Sequence, residues 1–105
     1  DRIAVEVDPI NGDSMTPSIL PGDIVLIDRD DPKGDQMLFH SGRIYAVRMG
    51  RGEGCAVKRV YAGKKGFVIA SDYQAKYPPE ISWTDDLNDL VIGRVVWGWR
   101  NLLEA

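Results

Sequence analysis

Apolar and polar residues alternate along this chain in short bursts separated by turn residues, the pattern of strands and not of helices. Ile3, Val5 and Val7 alternate with Arg2, Ala4 and Glu6, which predicts a half-buried strand. Pro21-Gly22-Asp23 is a turn, and Ile24-Val25-Leu26-Ile27 follows as a continuous apolar strand bounded by Asp28. Residues 28–35 (DRDDPKGD) read as a loop. Arg43 to Met49 and Cys55 to Tyr61 are the next two strands, joined by the glycine-rich hairpin Gly50-Arg51-Gly52-Glu53-Gly54. Gly63-Lys64-Lys65-Gly66 turns into Phe67-Val68-Ile69-Ala70. Tyr73 to Glu80 is irregular, because Pro78 and Pro79 cannot donate to a central ladder. Leu90 to Trp99 is the last strand, interrupted by Gly93 and Gly98. No stretch of ten residues carries a helical stripe, so the pattern predicts a mostly β domain, barrel-like or a sandwich.

Composition narrows this picture without redirecting it. A chain of 105 residues supports one core and not two, so residues 1–105 read as a single domain. With 44% hydrophobic and 28% charged residues the balance is that of an ordinary soluble globular protein. The net charge of −3, with no Lys/Arg cluster and no helix-turn-helix pattern, argues against a grip on a phosphate backbone by this segment. Cys55 is the sole cysteine, which excludes an internal disulfide and fits a reducing compartment. The apolar runs are too short for a transmembrane helix or a signal-peptide core. The chain opens on Asp1 without an initiator methionine, so it is expected to be a piece of something longer.

Two segments carry candidate chemistry. The first is Gly12-Asp13-Ser14-Met15-Thr16-Pro17, closed by Pro21-Gly22-Asp23. Its plain reading is structural: Asp13 and Ser14 are turn and capping residues, and Thr16-Pro17 suits a cap and first residue for one helical turn over residues 17–20. Its functional reading is a turn that presents the Ser14 hydroxyl outward, with backbone N–H groups aimed at a developing oxyanion. The second segment is Ala56-Val57-Lys58-Arg59-Val60, forty-four residues after Ser14 counted to Lys58. Period-2 alternation puts Lys58 on one face with Ala56 and Val60, neither of which can solvate an ammonium. Burial lowers a lysine's pKa and makes it a base; a lysine that snorkels to solvent is the structural alternative. Paired, a turn serine and a lysine in an apolar strand are the two halves of a serine–lysine dyad.

In order and in context, these segments resemble the LexA and UmuD family of self-cleaving proteins, which includes the C-terminal peptidase domains of many phage repressors. Gly12 to Pro17 with Pro21-Gly22-Asp23 matches the nucleophile motif, and Val57-Lys58-Arg59-Val60 matches the general-base strand. Gly93-Arg94-Val95-Val96-Trp97 looks like the closing strand, and Ser71-Asp72 followed by Tyr77-Pro78-Pro79 like the variable loop before it. The resemblance implies a mostly β, barrel-like fold shared with the catalytic core of bacterial signal peptidase, with one short helical turn after Ser14. It implies that Ser14 is the nucleophile, that its backbone N–H serves the oxyanion, that Met15 is structural, and that neutral Lys58 is the general base. Neither cofactor nor metal is implied. The implied setting is a cytoplasmic LexA-like or phage-type repressor that dimerises through this domain and cuts itself when stimulated by the RecA filament. DNA would be bound only by a domain upstream of residue 1, where the cleavage segment is also expected. Ala62-Gly63 matches the kind of bond this family cuts, but it reads as part of a hairpin turn. The alternatives are a dimerisation module with a vestigial dyad and a soluble signal-peptidase-like protease, with no membrane partner expected for this chain.

The remaining candidates read as structural. His40 in Phe39-His40-Ser41-Gly42 is a surface histidine and not the partner of Ser14 in a triad. Asp28, Asp30, Asp31 and Asp35 lack the spacing of a calcium loop and form a solvated stretch. Cys55 is a packed or idle thiol. Trp97 and Trp99 share one face of the last strand, where core packing and a subunit interface both remain open. That strand is also expected to offer an unpaired edge for a homodimer.

Overall fold

The computed structural model describes residues 1–30, 39–48 and 55–99. The expected glycine-rich hairpin at residues 50–54, and residues 31–35 of the expected acidic loop, lie outside the described residues. Seven strands and one short helix follow each other: β1 (Arg2–Glu6), β2 (Ile24–Asp28), β3 (Arg43–Arg48), β4 (Cys55–Gly63), β5 (Gly66–Ala70), β6 (Glu80–Ser82), α1 (Leu87–Leu90) and β7 (Val91–Trp99). The strands form one antiparallel sheet in the order β1-β2-β7-β3-β4-β5-β6.

Alternation along each strand sorts its side chains into two apolar clusters. In β3, Tyr45 and Val47 join Val60, Phe67, Leu87, Leu90 and Val91, while Ala46 between them joins Met15, Ile19, Val25 and Ile27. Adjacent residues of a strand point to opposite faces, so β3 is buried on both sides. β1 is half-buried as its alternation predicts, with Ile3 and Val5 packed on the second cluster and the residues between them exposed. The continuous apolar run Ile24–Ile27 forms β2, where Val25 and Ile27 are fully buried.

The fold is mostly β, as expected, but four details differ from the sequence reading. The sheet is open, with β1 and β6 at its two ends, because no ladder among the described residues joins them. The last strand is not an edge: β7 lies between β2 and β3 and pairs with both. Its tryptophans are not core residues either, since Trp97 is 64% and Trp99 45% exposed. The segment after Ser14 is a run of turns in which one helix-type bond, Ile19 N–H to Met15 C=O at 3.0 Å, closes a single turn over residues 15–19 in place of the expected 17–20. Two elements had no counterpart in the pattern: β6, three residues paired with β5 just after the prolines, and α1, capped by the Asp86 side chain.

Candidate active site

The connection between β1 and β2 carries Ser14 and is tied at its neck. Val7 N–H donates to Asp23 C=O at 2.8 Å and Gly22 N–H to Val7 C=O at 2.9 Å. Inside the neck, the Asp8 carboxylate accepts from the N–H groups of Ile10 and Asn11, a side-chain-made turn. The chain then passes so close over Asp8 that a Cβ on Gly12 would meet the Asp8 carbonyl oxygen at 2.4 Å, which explains glycine there. Thr16 N–H donates to Asp13 C=O at 3.1 Å, so Ser14 and Met15 occupy the middle of a turn. Met15 and Ile19, 2% and 7% exposed, anchor that turn in the second cluster. Ser14 is left half-buried beside the anchor. Its C=O accepts from Tyr73 N–H at 2.9 Å, and among the described residues no acceptor takes its N–H.

Lys58 comes from the middle of β4. Its register partner on β3 is Tyr45, which is fully buried. The β4–β5 ladder pairs Arg59 with Ala70, so the next position outward brings Lys58 opposite Ser71. That pairing is realised in the side chains: Lys58 Nζ donates to Ser71 Oγ at 2.8 Å, and Ser71 is 4% exposed. The Tyr77 ring lies over the amine with its centroid 5.1 Å from Nζ. Burial pushes the Lys58 pKa below its ordinary value, against the opposing pull of the Glu80 and Asp13 charges. Lys58 is thus half-buried, with a hydroxyl and a ring for neighbours, and does not snorkel freely to water.

Ser14 and Lys58 line one pocket of about 380 Å³. Val5, Val7, Met15 and Val57 give it apolar lining. Cys55 also lines this pocket, as a free exposed thiol. His40 does not: it is exposed, and its backbone bonds the Tyr45 hydroxyl. Ala62 and Gly63 are paired with Phe67 and Gly66 at the end of the β4–β5 hairpin. Asp28 closes β2 and accepts from Asp30 N–H at 3.0 Å.

Sequence reasoning treated residues 71–77 only as a loop, yet they supply partners to both halves of the site. Besides the bonds of Ser71 and Tyr73, the Asp72 carboxylate takes Arg59 Nε at 2.7 Å and also the Ser18 hydroxyl. Burial works to raise the Asp72 pKa, but the bonds from Arg59 and Ser18 outweigh it and hold the carboxyl below its ordinary value. Asp13, next to the serine, accepts from Lys76 Nζ at 2.8 Å and from the Tyr77 hydroxyl. Those two bonds, Lys76 first, hold its carboxyl low, and the same contact with Asp13 raises the Tyr77 pKa. A signal existed in Ser71-Asp72, two short hydroxyl and carboxyl side chains directly after a strand, but only the strand register assigns them partners.

A mostly β sheet that brings a turn serine and a half-buried lysine to one cleft is an arrangement suited to acyl transfer. The chain belongs to the Peptidase S24-like family, whose model matches residues 6–96. No curated protein matches the sequence. The matched span contains both Ser14 and Lys58, and the family is one of serine-peptidase type. Among the described residues no helix is long and apolar enough to cross a membrane.

Proposed function

We propose that this is the serine–lysine peptidase domain of a LexA-like or phage-type repressor, which cuts its own chain. The observation that carries the proposal is the shared cleft: Ser14 and Lys58 line it together, and burial favours the neutral amine that a general base requires. In the reaction, Lys58 Nζ takes the proton of Ser14 Oγ as the oxygen attacks the scissile carbonyl. The tetrahedral oxyanion is met by the Ser14 N–H. The ammonium then returns its proton to the leaving amine, and water drawn through the same base releases the acyl group. Ser71, by accepting from Nζ, aims the amine; a shift of Nζ from Ser71 towards Ser14 opens the proton transfer. The setting proposed is cytoplasmic, with the RecA filament as activator and DNA contacted by another part of the protein.

Dimerisation belongs to the same proposal. Trp97 and Trp99 protrude from the outer half of β7 beside a second groove of about 400 Å³. Exposed tryptophans next to a groove are the kind of anchor that protein interfaces use. The alternative reading, a dimerisation module with a vestigial dyad, draws on this surface and on the engagement of Lys58 with Ser71. The deciding experiment compares the protein carrying the segment expected upstream of residue 1 with its Ser14→Ala and Lys58→Ala variants on a gel at about pH 7 and about pH 9, the higher pH holding the larger neutral fraction of a lowered lysine. Cleavage in the parent alone supports the peptidase, and no cleavage in any of the three, with RecA filament present, supports the module. Equal cleavage in all three removes the assignment.

A further inference from the structure

Five of the seven residues from Ser71 to Tyr77 contact the nucleophile loop or the base strand. Two of them reach both. Asp72 joins Arg59, the residue after Lys58, to Ser18 on the nucleophile loop. Tyr77 covers the Lys58 amine with its ring and donates its hydroxyl to Asp13, the residue before Ser14. Between them, Tyr73 N–H holds the Ser14 carbonyl and Lys76 holds Asp13. The nucleophile loop and β4 are far apart in sequence, and in the sheet β2, β7 and β3 separate β1 from β4. Direct strand pairing therefore does not fix Ser14 against Lys58.

We propose that Asp72 and Tyr77 are positioning residues, a two-point clamp that sets the nucleophile loop in register with the base strand. The inference rests on the reading of Ser14 and Lys58 as the dyad. Tyr77 adds a wall on one side of the amine, and the charges near it are Asp13, Lys76 and Glu80. Neither residue exchanges a proton with substrate. Each acts through where it holds another group, and serine–lysine chemistry is sensitive to that placement because proton transfer needs hydrogen-bond distance.

The test uses the full chain with Tyr77→Phe, which keeps the ring and removes only the hydroxyl, and with Asp72→Asn. Self-cleavage is followed against pH up to the plateau where Lys58 is neutral. Loss of the clamp lowers the plateau by about 10- to 100-fold in each variant, the scale expected for misplacement near 1 Å. In Tyr77→Phe the pH midpoint stays near that of the parent, since the ring remains. Asp13→Ala combined with Tyr77→Phe costs little more than Asp13→Ala alone, because removing the carboxylate already breaks the contact that Tyr77→Phe removes. Amide hydrogen exchange on the same proteins supplies a readout that needs no activity. Exchange accelerates at residues 13–16 while β3 and β4 keep their protection. A plateau equal to the parent's overturns the clamp, as does exchange that rises uniformly over the sheet, the mark of a merely structural role. A parent that never cleaves refutes the dyad reading instead, and the exchange pattern then decides the clamp alone.

Discussion

Lys58 is costly to the fold in its charged state, and the proposed chemistry calls for its neutral one. Its pKa in the folded chain lies below its ordinary 10.5, so the folded state gives up the proton more readily than the unfolded state. The burial penalty is therefore complete below the folded pKa and vanishes as pH rises to about 10.5. The stability of Lys58→Met relative to the parent should accordingly fall as pH climbs through that window, read by urea unfolding at a series of pH values. A difference that does not change with pH would mean the amine is as solvated as in the unfolded chain. Asp72 behaves in the opposite sense. Its folded pKa is below 3.8, so its contribution is present in full above that value and disappears as pH falls through the lowered pKa. Asp72→Asn should cost about 1–2 kcal/mol at neutral pH, the range of a partly exposed charged hydrogen bond. Thermal unfolding should find that difference closing in acid, since protonation removes the same partner from the parent.

At the level of elements, the two glycines of β7 look alike in sequence and differ in what surrounds them. A Cβ on Gly93 would come within 2.4 Å of the Asp28 carbonyl oxygen and 2.8 Å of Ile27 Cγ2, where the end of β2 crosses the bulged β7. A Cβ on Gly98 would meet nothing closer than 3.7 Å. Gly93→Ala should therefore lose about 1–3 kcal/mol by overpacking, while Gly98→Ala leaves the denaturation midpoint near that of the parent. Equal effects would mean that β7 shifts freely against β2. The same strand shows where sequence was informative. Alternation and short apolar runs, bounded by turns rich in glycine and proline, located six of the seven strands among the described residues. β6 escaped because three residues hold no period, and α1 because four residues make no stripe. Ser14 and Lys58 stood out by their neighbours in sequence. Ser71, Asp72 and Tyr77 did not, since their meaning depends on register and on a fold-back across tens of residues.

For the molecule as a whole, the exposed pair Trp97 and Trp99 sets an expectation about association. Sedimentation of the chain at tens of micromolar should reveal a concentration-dependent dimer, and Trp97→Glu should shift it to monomer without changing the unfolding temperature by more than a few degrees. A parent that is monomeric at every concentration would remove these tryptophans as anchors. The interior place of β7 has another consequence, one of timing. Of the described strands, the last to leave the ribosome is the one that stands between β2 and β3. Until it emerges, the half that carries Ser14 and the half that carries Lys58 share no ladder, and only the contacts made by residues 71–77 link them. On the proposed reading of Ser14 and Lys58 as a dyad, the cleft gains its full set of ladders only with β7, so self-cleavage is delayed until that strand has been made.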